Sequence, residues 1–157
     1  MSNKNNLRLP AACYLLLAVS QTACTTATEL TAVEVLNHTQ CQLLDAGVTQ
    51  IDHDQIADIR GGLIQTNPPQ SEIEATLDLF AVSKGQQPTP GYHLALVGAS
   101  ERERTATIEI TWSQPPANAL LAQVITHPCI VVGLTPGTYT RVRAVQDNGR
   151  TVGELAL

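Results

Sequence analysis

The chain has 157 residues, 43% of them apolar, and carries 14 acidic against 9 basic side chains for a formal net charge of −5 at pH 7. That length and apolar share suit one folded domain and exclude wholesale disorder, while the negative charge repels phosphate backbones and sets nucleic-acid binding aside. The only aromatic residues are Tyr14, Phe80, Tyr92, Trp112 and Tyr139, so the core must be built from Leu, Val, Ile and Ala, with few platforms on which bases or sugars stack.

Residues 1–23 have the parts of an export signal: Lys4 and Arg8 as a short positive region, "AACYLLLAVS" as an apolar stretch, then the small residues Thr22 and Ala23. The apolar run is about ten residues, half of what a membrane-spanning helix needs. Two cleavages fit. "QTAC" (21–24) resembles the lipobox of bacterial lipoproteins, in which small residues precede a cysteine that takes up a diacylglycerol and becomes the new N-terminus; that makes Cys24 the candidate lipidation site. Gln21 stands where that pattern usually has an apolar residue. Ordinary signal-peptidase cleavage after Ala23 or Ala27 is the alternative, and it releases a soluble periplasmic protein. In the lipoprotein reading, residues 24–30 are a polar lipidated tether and the acyl chains hold the domain on the bilayer. Thr25, not Asp, follows Cys24, which by the same resemblance implies the outer membrane.

With Cys13 in the signal and Cys24 lipidated, Cys41 and Cys129 are left. Exported proteins sit in an oxidising compartment, so a Cys41–Cys129 disulfide is expected, with two separate buried thiols as the alternative. Closing so long a loop is worth about 4 to 5 kcal/mol in the chain-entropy model.

A single domain is expected over 31–157. "AVEVL" alternates as a first strand does. In "IDHDQIADIRGGL" (51–63), Ile56, Ile59 and Leu63 recur at helical spacing, with Asp52 as N-cap and Gly61 and Gly62 as the stop. "NPPQSE" (67–72) is a turn, and "IEATLDLFAVSKG" (73–85) a strand with Ile73, Ala75, Leu77 and Leu79 on one face. Tyr92, Leu94 and Leu96 then face one way along the next strand, and "SERER" is a charged hairpin tip. "TATIEITW" (105–112) alternates most clearly, with Ala106, Ile108, Ile110 and Trp112 inward and Thr105, Thr107, Glu109 and Thr111 toward water. A long connection, 113–127, contains Leu120, Leu121 and Val124, which are either core or contact surface. "CIVVGL", "TYTRVRAV" and "TVGELAL" are three more strands, the last two joined by "QDNGR", with Arg141 and Arg143 toward solvent and Val142 and Ala144 inward. The sum predicts an α+β fold, a mostly antiparallel β-sheet with one short helix packed on one face.

No serine sits in a nucleophile elbow, and His38, His53, His93 and His127 lack the spacing that places two imidazoles on one helical face, so neither metal nor cofactor is expected. "DHD" (52–54) reads as a helix start whose carboxylates favour the positive end of the dipole. His127, Pro128 and Cys129 stand in sequence, and a disulfide consumes the Cys129 thiol, so a catalytic thiol and imidazole pair is not expected there. Lys84 is the one lysine after the signal and reads as a solvated strand end. For a small soluble periplasmic enzyme, His53, Asp54, Glu109 and His127 are the only raw material; a purely structural envelope lipoprotein is the other alternative.

From Ala81 to about residue 145 the order of elements carries a recognisable set of positions. Gly85, Pro88, Thr89, Pro90, Gly91 and Tyr92 form a turn leading into a strand. Pro115 and Pro116 follow in a crossover, and Pro128, Val131, Val132, Leu134 and Pro136 in a later strand. This stretch resembles the C-terminal domain of the PrcB family, named for a lipoprotein subunit of a bacterial surface protease complex; Pro90 stands where the family usually has glycine. The resemblance implies a noncatalytic accessory or partner-binding domain held at the bacterial envelope, its partner an envelope protein. Tyr92 has two readings, a partner anchor or a core tyrosine with its hydroxyl at the edge.

Overall fold

The computed structural model describes residues 26–43, 45–59 and 76–157. Cys24, the signal segment and the helix end and turn expected over 60–75 lie outside these residues. The elements are β1 (Thr28–Leu30), β2 (Ala32–His38), β3 (Ala46–Ile51), α1 (Gln55–Ile59), β4 (Asp78–Lys84), β5 (His93–Arg102), β6 (Thr105–Ser113), β7 (Cys129–Leu134), β8 (Arg141–Gln146) and β9 (Thr151–Ala156). They form a five-stranded sheet of order β1-β5-β6-β8-β9 and a four-stranded sheet of order β2-β7-β4-β3. All neighbours are antiparallel except β6 and β8. Parallel neighbours need a crossover, and here the chain leaves β6, adds β7 to the other sheet and returns as β8.

The two sheets face each other. Phe80, Val82, Ile130, Val132 and Leu134 of one pack against Leu94, Ala106, Ile108, Ile110, Val142 and Ala144 of the other. The alternation read in "TATIEITW" and "TRVRAV" therefore places its apolar half between the sheets. Strand β7 is buried at all six positions because its other face is covered as well. Cys129 and Val131 join a second cluster with Leu36, Cys41, Ile51, Ile59, Leu77, Leu79 and Ala81.

This corrects the expected α+β fold. The described residues form two facing β-sheets, and the one described helix, α1, is five residues long. Asp52 N–H donates to Gln55 Oε1 at 2.8 Å and Gln55 N–H donates back to Asp52 O at 3.1 Å, so the start signal closes one turn. Each sheet lays one apolar face on the other, and the second apolar cluster of the four-stranded sheet takes only Ile59 of this single turn among its buried strand and loop residues, so no helical layer is built. Within the stretch expected as a tether, 24–30, Thr28, Glu29 and Leu30 pair with Glu101, Ser100 and Ala99 as an edge strand.

Three further features set the geometry. The β5–β6 register shifts between Leu96 and Gly98, a bulge at Val97, so that Leu94 and Leu96 face the core before it and Ala99 after it. Strand β1 covers β5 only at 99–101, and β2 side chains guard part of the rest: Leu96 N–H donates to Glu34 Oε2 at 3.1 Å and Asn37 Nδ2 donates to Leu94 O at 2.9 Å. Finally, Cys41 and Cys129 form a disulfide, joining positions 88 residues apart.

Candidate functional site

At the end of the sandwich where β4 stops and β5 starts, the turn 85–92 meets the connection 114–128. Gly85 has φ of 71°, a left-handed conformation that ends β4, and its N–H donates to Ser83 Oγ at 2.9 Å. The turn then pairs with the connection as a single antiparallel bridge: Gln87 N–H donates to Thr126 O at 2.8 Å and Thr126 N–H donates to Gln87 O at 3.0 Å. Thr126 Oγ1 donates to Thr89 O at 3.0 Å, and Gln87 Nε2 to Lys84 O at 3.2 Å. Gly91, at φ of 95°, lies against Pro115, where an added Cβ would come within 3.0 Å of the proline Cβ. Gly85, Thr89, Gly91 and Pro115 of the sequence motif thus lie along one seam.

The same connection is fastened on its other side. Cys41 N–H donates to His127 O at 2.9 Å, His127 N–H to Thr39 O at 3.1 Å, and Gln40 Nε2 to Ile125 O at 3.2 Å. With its ends held, the connection turns Leu120 fully to solvent and leaves Val124 and Ile125 half exposed. Of the three residues given two readings in the sequence, Leu120 and Val124 are thus on the surface, and Leu121 is partly buried.

Tyr92 stacks on Trp112, ring centroids 5.4 Å apart and planes 23° from parallel, and Lys84 Nζ lies 5.2 Å from the Trp112 ring centre. Lys84 Nζ also donates to Gln146 Oε1 at 3.4 Å. Partial burial, then the positive charge of Arg150, hold its pKa below the usual lysine value. Lys84, read in the sequence as a solvated strand end, is therefore one side of a Tyr–Trp–Lys stack under the turn. Trp112 was legible only as a core residue; since Leu94 pairs with Trp112, Tyr92 is its diagonal neighbour across the hairpin, a relation that depends on the bulge.

The residues available for catalysis are not brought together. The register of β3, β4 and β7 puts His53, after β3, and His127, before β7, at opposite ends of the four-stranded sheet. Glu109 is exposed on β6, in the other sheet. Cys129 is in the disulfide, so His127 has no thiol to act on. Among the described residues, no three or more His, Cys, Asp and Glu side chains are placed to hold a metal ion, and no helix is long and apolar enough to cross a membrane.

Residues 79–135 match the family described as PrcB C-terminal. The match runs from β4 through β7 and contains the whole seam between turn and connection. No curated protein and no solved structure matches the chain.

Proposed function

We propose that this chain, whose residues 79–135 match the PrcB C-terminal family, is a noncatalytic accessory module of the bacterial envelope that docks another envelope protein, a protease complex being the partner type the family implies. The connection 114–127 is the docking face. The observation that carries this reading is a loop fastened by backbone hydrogen bonds at Thr126 and His127 that nevertheless presents Leu120, Val124 and Ile125 to water. Exposed apolar groups on a restrained segment can be buried by a partner with little ordering cost. The chain is exported and held on the membrane through lipid on Cys24, a reading supported by the "QTAC" sequence and by the disulfide that an oxidising compartment permits.

Two measurements test this. Cross-linking in the native host compares the wild-type protein with a Leu120→Ser, Val124→Ser, Ile125→Ser variant of unchanged Tm. The cross-linked partner should disappear in the variant, and an unchanged set of partners would sink the docking face. Intact mass of detergent-extracted protein should show a chain starting at Cys24 with added diacylglycerol, gaining two protons on reduction. An unlipidated mature chain would overturn the anchor while leaving the docking face standing.

A further inference from the structure

The outer face of the five-stranded sheet, at the end away from the turn and connection, holds a shallow hollow lined by Arg102, Glu103, Thr105, Thr107, Arg141, Arg143 and Glu154. Three of the chain's few guanidinium groups converge there against two carboxylates, on a protein whose net charge is −5. The carboxylates are already engaged. Glu154 Oε1 lies 3.1 Å from Arg141 Nε, and Glu103 Oε1 lies 3.7 Å from Nε of its neighbour Arg102. Arg143 is left over: its Nη2 reaches Thr107 Oγ1 only at 3.5 Å, and its Nε, a buried donor, has no hydrogen-bond partner among the described residues. A charged donor taken from water and given no acceptor is costly, and a carboxylate arriving above the sheet is the group whose geometry fits a guanidinium fork.

The layout also fixes the kind of ligand. Arg102, Thr105 and Arg141 lie in one row across β5, β6 and β8, and Thr107 and Arg143 in the next. Arg102 and Arg141 are two strand spacings apart, about 10 Å, which no single carboxylate bridges. Beyond the second row Glu109 is exposed on β6 and bounds the basic area. We infer that this hollow binds an acidic peptide segment of another protein, several carboxylates at a time, with Arg143 as its central contact. The site is separate from the docking face proposed above and stands or falls without it.

The test uses the purified full chain and a fluorescein-labelled hexaglutamate peptide, read by fluorescence anisotropy at low salt. Arg143→Gln should weaken binding at least fivefold, whereas Arg150→Gln, the same charge change on the distant β8–β9 hairpin, should weaken it less than twofold. In the unmutated protein the Arg143 Nε–H resonance should shift as peptide is added, a readout that needs no variant to fold. No binding by the wild type, equal losses in the two variants, or an unmoved Nε–H resonance would each overturn the proposal. Competition by inorganic phosphate as strong as that of unlabelled peptide would overturn the carboxylate assignment.

Discussion

At Gly153 the two sheets touch backbone to backbone. A Cβ built on this β9 residue would sit 2.6 Å from Gly47 Cα and 2.8 Å from Val48 N on β3, and neither atom can swing aside as a side chain does. Gly153→Ala should therefore force the sheet edges apart and cost about 2 kcal/mol, in the range of other overpacking changes. The loss would appear as a lower urea midpoint with little change in m. Tyr139 ties the sheets at the opposite end: its ring meets Phe80 edge-on, and its hydroxyl donates to Asp78 Oδ2 at 2.7 Å. Burial, then the hydrogen bond and charge of Asp78, raise its pKa well above the usual tyrosine range. With the folded value above the unfolded one, the neutral phenol's stabilisation is complete below pH of about 10 and is lost as pH climbs from there toward the folded value. Tyr139→Phe should give a protein less stable at neutral pH but with a flatter decline in stability above pH of about 10, measured by denaturant unfolding across that range. Neither contact shows in the sequence, where Gly153 is one glycine in an alternating strand and Tyr139 one of few aromatics.

Among the elements, legibility followed the length and contrast of the alternation. Strands β6, β7 and β8 lie where their patterns placed them, and the Asn148–Gly149 turn forms, with Gly149 at φ of 79°. Strand β3 passed unread because "AGVTQI" carries only Val48 and Ile51 as large apolar residues, and β1 because three residues show no period. The helix start was legible, but nothing local told one turn from a helix that covers a sheet. In β5 the inward phase switches at Val97, which is 59% exposed; Gly98 beside it was the available sign of a bulge. The "SERER" tip is a hairpin whose two-residue loop, Glu103–Arg104, has φ of 51° and 61°, positive values that favour Asn and Gly. Replacing the pair with Asn-Gly should stabilise the protein by about 1 kcal/mol, less whatever the Arg104 Nε bond to Thr138 O contributes, read as a rise in Tm.

Over the whole molecule, the second sheet was the least legible feature, because its pairings join distant segments. Strand β2 lies beside β7 and β4 lies between β7 and β3, pairings that no local pattern encodes. The disulfide was legible by counting, and it ties Cys41, in the segment after β2, to the first residue of β7. It also lies next to the Cys41–His127 bond that fastens the candidate docking loop. Cys41→Ser with Cys129→Ser should lower stability by about 2 to 5 kcal/mol and speed hydrogen exchange at Thr126 and His127 before the β6 core. Equal protection in all three places would mean that the loop holds without the covalent tie. The PrcB-like segment was legible through its prolines and glycines, of which Gly85, Gly91 and Pro115 lie along the seam, whereas the Lys84–Trp112 contact needed the packing of two sheets to bring it together.

Glu34 and Asn37 occupy hydrogen-bonding positions on β5 that another extended chain would otherwise take. A β-protein crowded against its own copies faces zippering along such open rims. Two polar side chains from the neighbouring sheet act as gatekeepers here, so exchanging them for alanine should leave the monomer folded but concentration-limited. Its failure would begin as growing filaments rather than as melting.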